Sequence, residues 1–272
     1  MTRQELSKQI FDKGTYLCVG LDSDINKIPK FLKTEPDPIF SFNKAIIDAT
    51  IDYCVSYKIN TAFYESLGAK GWETMQKTFE YIPSTHFKIA DAKRGDIGNT
   101  SDQYAKAFFE NLNADAITIA PYMGKDSIYP FLKYENKWSI ILALTSNNGS
   151  IDFQLQKLES GEYVFEKVLS ETSKWGNIDN TMYVVGATNS AQFSQIREII
   201  PNHFLLVPGV GAQGGNLQEV SQECLNADGG ILVNSSRAII FASAEKDFAI
   251  KAKEESKKIS SEMKNLIDLY IK

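Results

Sequence analysis

Histidine is nearly missing from this 272-residue chain, which holds two, His86 and His203. Each falls just ahead of an apolar run that reads as a strand, at the end away from where chemistry would gather. A histidine-based triad or a zinc site is therefore disfavoured. Cysteine is scarce as well: Cys18, Cys54 and Cys224 are scattered, odd in number and set in apolar surroundings. They read as reduced core residues of a cytoplasmic protein rather than a disulfide framework. There is no basic surplus, and a net charge of −5 argues against a general nucleic-acid binder. No apolar run is long enough to span a bilayer. The first fourteen residues mix charge with Leu6, Ile10 and Phe11 at helical spacing and lack the apolar core of a signal peptide. Linkers, low-complexity tracts and internal repeats are absent too. The expectation is one soluble, cytoplasmic domain covering 1–272, with 43% hydrophobic residues to build a large core.

What the chain does have is alternation. Short β-branched or aromatic runs at 16–21, 54–59, 87–90, 116–120, 139–144, 182–186, 204–208 and 230–234 read as strands. Helical patterns such as 101–112, 163–174, 191–200 and 217–225 lie between them. Eight such units with near-continuous apolar strands predict an α/β fold, a closed parallel (β/α)8 TIM barrel. An open doubly wound sheet is the alternative, and the count of eight favours closure. The last segment, 244–271, places Phe248, Ala252, Ile259, Met263, Leu266, Ile267 and Tyr270 on one face and reads as the outermost barrel helix. Its mixed-sign charges read as a solvated face. The longest loops, 23–37 and 146–161, follow strands 1 and 5, and loops of that length often act as lids.

Active sites of such barrels form at the C-terminal strand ends. The run Ala90-Asp91-Ala92-Lys93-Arg94-Gly95-Asp96-Ile97-Gly98-Asn99-Thr100 starts at one. Strand alternation would send Asp91 and Lys93 to one side, with Asp96 in the turn beyond. Folding alone would not choose such a constellation, although a polar strand end laced with surface ion pairs is the plainer account. Strand 2 carries Lys58, either a charge at the site or a lysine snorkelling to solvent. Asp22 ends strand 1 and suits a cap, or with Asp24 a Mg2+ site for which two carboxylates are a poor basis. Ser146 has no nearby His or Lys and suits hydrogen bonding. Strand 7 runs into Pro208-Gly209-Val210-Gly211-Ala212-Gln213-Gly214-Gly215, and strand 8 into Asn234-Ser235-Ser236-Arg237. A glycine-rich turn lets backbone N–H groups approach an anion, and Arg237 adds a planar, permanent charge. Between them these two loops predict a phosphate site.

These positions together resemble the orotidine 5′-phosphate decarboxylase family, from Gly20-Leu21-Asp22 to Asn234-Ser235-Ser236-Arg237, most strongly at 91–100. The segments Ala120-Pro121-Tyr122-Met123-Gly124-Lys125-Asp126 and Thr145-Ser146-Asn147 look like its bacterial branch with extended loops. Asp-x-Lys-x-x-Asp is shared with sugar-phosphate decarboxylases of the same barrel superfamily, which tend to carry an acid on strand 2 where Lys58 stands. The resemblance implies a cofactor-free conversion of orotidine 5′-phosphate to uridine 5′-phosphate, with no metal. Lys58, Asp91, Lys93 and Asp96 would form an alternating charged network, and Lys93 would protonate C6. Asp22 and Thr100 would contact the ribose hydroxyls, Ser146 the pyrimidine edge, and Gln213 and Arg237 the phosphate. It further implies a homodimer in which Asp96 and Thr100 reach the partner's site. The roles of Asn147 and Gln154 stay unassigned. Two rivals remain: a metal-dependent sugar-phosphate lyase or aldolase, and a catalytically silent nucleotide-binding protein.

Overall fold

A computed structural model describes residues 1–210 and 214–271. Strands form where the sequence gives its apolar runs: β1 (Leu17–Gly20), β2 (Ser56–Asn60), β3 (Phe87–Arg94), β4 (Ala116–Ile119), β5 (Trp138–Leu144), β6 (Thr181–Val185), β7 (Phe204–Pro208) and β8 (Ile231–Ser235). Each pairs in parallel with the next. Leu17 of β1 lies opposite Val233 of β8, which closes the barrel and rules out the open sheet. Helices such as Pro38–Thr50, Gly68–Tyr81, Val164–Thr172 and Phe248–Tyr270 cover the outer face, so the strands are buried on both sides.

Most element boundaries shift from the sequence reading, the start of β2 from 54 to 56 and that of the helix at Gly98 from 101 among them, and two shifts have a plain cause. β3 runs four residues past Ala90 to Arg94, because Asp91 and Lys93 turn to the cavity at the barrel mouth while Arg94 packs outward against Glu65. The last helix begins at Phe248 rather than at 244, after a turn in which the Ser243 hydroxyl donates to Asp247 (2.6 Å). Loop 23–37 is anchored, burying Ile28 and Leu32 in the core.

The N-terminal end of the barrel is plugged. Phe87, Trp138 and Phe204, the first residues of β3, β5 and β7, meet edge to face with centroids 5.8 and 5.9 Å apart. Contacts of this kind add about 1 kcal/mol each beyond burial. Helix Arg3–Lys13, opened by a Thr2/Glu5 capping box and closed by Gly14 at φ 61°, seals this layer. The Trp138 indole donates to the Met1 carbonyl (2.9 Å), and the Arg3 guanidinium lies 5.1 Å over the Phe204 ring. Arg3 also donates to the Ile178 and Asn202 carbonyls and to Asp228.

Both histidines sit at this plugged end, just before β3 and β7, and both are buried. Burial, then the charge of Lys13, pushes His86 down to about 4; Lys13 Nζ donates to its Nε2 at 2.8 Å. Burial, then Arg3 and Arg197, pushes His203 down to about 4, and among the described residues neither of its ring nitrogens has a hydrogen-bond partner. An unfolded histidine titrates near 6.5. Between about 6.5 and about 4 the unfolded chain therefore binds protons that the folded chain refuses. Their contribution to stability is complete above that window and is lost as pH falls through it. The urea midpoint should drop between pH 7 and pH 5, and His203→Gln should flatten the slope by about one proton. A midpoint independent of pH would contradict this.

Burial pushes the thiols of Cys18, Cys54 and Cys224 up to about 12, and all three are free. No helix among the described residues is long and apolar enough to cross a membrane.

Candidate active site

At the C-terminal strand ends lies a cavity of about 320 Å3. Its lining falls into three sectors. β1 to β3 supply Asp22, Lys58, Asp91 and Lys93. β5 to β7 supply an apolar wall of Leu142, Val184 and Leu206. The end of β8 and the loops after β5, β7 and β8 supply the polar rim, including Ser146, Gly209, Asn234 and Arg237.

The charged sector is a chain of alternating sign. Lys58 Nζ lies 3.6 Å from Asp22 Oδ1 and 2.8 Å from Asp91 Oδ2, and Lys93 Nζ lies 2.6 Å from Asp91 Oδ1. Burial works against the charge on Lys58, but the Asp91 and Asp22 carboxylates outweigh it and raise its pKa. Burial likewise works against ionised Asp91, yet Lys58 and Lys93 hold its carboxyl well below the usual carboxylate range. The depths differ: the Lys58 side chain is 5% exposed and Asp91 11%, whereas Lys93 is 51% exposed and opens onto the cavity. Lys58 thus sits between two carboxylates and neutralises both.

Lys93 is held by its backbone. Its φ is +48°, in the left-handed region that costs a non-glycine residue about 1–2 kcal/mol. Asp91 and Lys93 do share a side, as alternation suggested, but through an irregular strand end rather than a regular pleat. Arg94 turns the other way: it pairs with Glu65 and lies 5.5 and 5.4 Å over the Tyr104 and Phe108 rings. That motif residue anchors β3 to the helices.

The rim is shaped by close approaches. A Cβ on Gly186, just after β6, would come within 2.7 Å of the Ser146 backbone, so only glycine lets that turn sit against the barrel. Gln154 fixes the same turn, accepting from the Thr145 N–H (2.7 Å) and donating to its hydroxyl (2.9 Å). The Thr145 hydroxyl in turn donates to Asn147 Oδ1 (2.6 Å). Gly209 takes φ +98°, bending the chain out of β7. Among the described residues, two buried oxygens of the lining side chains, Asp22 Oδ1 and Asn234 Oδ1, have no hydrogen-bond partner, although Asp22 Oδ1 faces the Lys58 ammonium.

The structure therefore brings Asp22, Lys58, Asp91, Lys93, Ser146 and Arg237 to one cavity. Asp96 and Thr100 do not line it. Asp96 Oδ1 accepts from the N–H of Ile97 (2.7 Å), and Thr100 is exposed on helix Gly98–Lys106. Gln213 lies outside the described residues. Sequence reasoning missed Asn60 and assigned no role to Asn234, both of which line the cavity. Asn60 follows Lys58 by two positions, so period-two alternation along β2 was the available signal.

The orotidine 5′-phosphate decarboxylase / HUMPS family profile matches residues 15–252. The orotidine 5′-phosphate decarboxylase of Phocaeicola vulgatus is 57% identical over 98% of this chain and 99% of its own length. That of Flavobacterium johnsoniae is 57% identical over 98% and 99%. Among solved structures, Leishmania donovani OMP decarboxylase superposes with a TM-score of 0.81 at 34% identity, covering 96% of this chain and 99% of that one. Leishmania donovani UMP synthase is also similar (TM-score 0.80, 36% identity over 93% of this chain), and the chain spans 56% of its length. With a closed eight-stranded barrel and an alternating Lys/Asp array at its mouth, this chain belongs to the orotidine 5′-phosphate decarboxylase / HUMPS family.

Proposed function

We propose that this chain decarboxylates orotidine 5′-phosphate to uridine 5′-phosphate and CO2, with Lys93 as the proton donor and no cofactor. The observation that carries this reading is the order Asp22–Lys58–Asp91–Lys93, in which charges alternate and Lys93, of the four, opens most widely to the cavity.

The chemistry follows from where charge develops. When the C6–carboxylate bond breaks, its electron pair stays on C6 in the ring plane, out of reach of the π system. Electrostatic preorganisation is then the available source of stabilisation. Opposite unit charges about 4 Å apart attract by about 4 kcal/mol at an effective dielectric near 20. The Lys93 ammonium supplies that attraction and then passes a proton to C6; being half-exposed, it recovers one from solvent once product leaves. Asp91, locked between two ammonium groups, stands beside the departing carboxylate and keeps Lys93 aimed. Asp22 accepts a ribose hydroxyl, Ser146 reads the pyrimidine edge, and Arg237 grips the phosphate. The apolar wall of Leu142, Val184 and Leu206 receives the ring face. Binding energy from the phosphate raises the rate at the distant C6.

Asp96 and Thr100 complete the site of a second copy in a cytoplasmic homodimer. Beside them Ile97, Tyr129 and Lys125 line a surface groove, and on the adjoining turn Tyr122 is 92% exposed. Uncovered aromatic and aliphatic surface of this kind suits burial against another protomer.

One assay tests both statements. Purified protein in excess EDTA, followed by the ultraviolet loss of orotidine 5′-phosphate, should form uridine 5′-phosphate rapidly. Specific activity should fall as the enzyme is diluted and protomers part. No turnover in EDTA, with activity on a sugar phosphate restored by Mg2+, would move the chain to the metal-dependent class. Binding without turnover under any condition would make it a nucleotide-binding protein. Specific activity constant down to the lowest concentration would count against the shared site.

A further inference from the structure

β3 and β4 are out of step where the charged array begins. Ala90 lies opposite Ile117 and Arg94 opposite Ile119, so Asp91, Ala92 and Lys93 face a single residue, Thr118. A backbone ladder does not serve such a stretch, and the bulged residues need other partners. The N–H of Lys93 donates to the Thr118 hydroxyl oxygen at 2.9 Å. The Thr118 hydroxyl in turn donates to Asp91 Oδ1 at 3.0 Å. These directions are fixed by chemistry: an amide N–H only donates, an ionised carboxylate only accepts, and the hydroxyl has one proton to give. Asp91 Oδ1 thus takes Thr118 and Lys93 Nζ, while Oδ2 takes Lys58.

Thr118 is buried among Ile117 and Ile119 and does not line the cavity. A threonine in an otherwise apolar barrel strand needs a reason, since valine would pack the same volume without a polar atom. We infer that Thr118 is a positioning residue for the decarboxylation: its hydroxyl holds the Lys93 backbone in its left-handed turn and fixes the rotation of the Asp91 carboxylate. Without it, Lys93 loses the partner that offsets its strained φ and relaxes toward ordinary backbone angles, carrying its ammonium off the reacting carbon. This rests on Lys93 and Asp91 carrying the reaction.

The test compares Thr118→Val, which keeps the volume and removes the hydroxyl, with Thr118→Ser, which keeps the hydroxyl. Lys93→Ala serves as reference, and kcat and KM are read separately for orotidine 5′-phosphate. Valine should lower kcat by about thirtyfold with KM changed less than about threefold, because the reacting group is displaced while the groups that bind substrate stay in place. Serine should leave kcat within about threefold, because it keeps the hydroxyl that holds Lys93 and Asp91. Should valine fail to fold, Thr118→Ala replaces it with the same expectation. A valine or alanine variant within twofold of wild-type kcat would overturn the inference. So would serine as slow as valine, since volume and not the hydroxyl would then matter. Lys93→Ala retaining activity would instead sink the underlying reading.

Discussion

Lys93→Ala should fold, bind the nucleotide and lose about four orders of magnitude or more in kcat. Two contributions vanish together: attraction for charge on C6, and delivery of the proton, each worth about two or more decades when removed alone. Folding should survive because Asp91 keeps its buried partner Lys58 and because Lys93 is half-exposed. Alanine leaves the backbone at φ +48°, so little stability should be regained. Thermal unfolding, a nucleotide-binding titration and single-turnover kinetics check the three parts separately. Activity near wild type would remove Lys93 from the mechanism, and loss of folding would recast the array as structural.

Arg237→Ala should lower kcat/KM by about a hundredfold or more, mostly through KM, as expected when one partner of a charge-assisted contact is removed. The discriminating comparison uses orotidine, which lacks the phosphate. On that substrate the variant and the wild type should be alike, because the guanidinium then has nothing to hold. An equal loss on both substrates would mean that Arg237 supports the loop after β8 rather than gripping phosphate. An unchanged kcat/KM on the phosphorylated substrate would remove it from the site.

The barrel was legible because all eight strands are buried on both faces, so each appears as an apolar run bounded by polar residues. Legibility failed where side chains turn to the mouth. β3 reads as ended at Ala90 only because Asp91 and Lys93 face a polar cavity that sequence alone does not distinguish from water. The charged residues themselves were readable from their place at strand ends, and Lys58, Asp91 and Lys93 do come together. Their support was not readable. Thr118 looks like any β-branched strand residue, and its role depends on a register slip between β3 and β4 that no local pattern announces. Gln154, left without a role, is seen to tie down the turn that carries Ser146. Asp96 and Thr100 stand outside the cavity of their own chain.

On the proposed role of Lys93 as proton donor, its left-handed backbone sets the interests of folding and of chemistry against each other at one position. Glycine, and to a lesser degree asparagine, suits that conformation best, by about 1 kcal/mol over other side chains. A variant library ranked only by heat resistance would therefore drift away from lysine there, and its sturdiest members would be inert. Thermal hardening of this barrel should leave position 93 untouched and draw its gains from the plugged end, where Arg3 and Trp138 already bind the fold together far from the mouth.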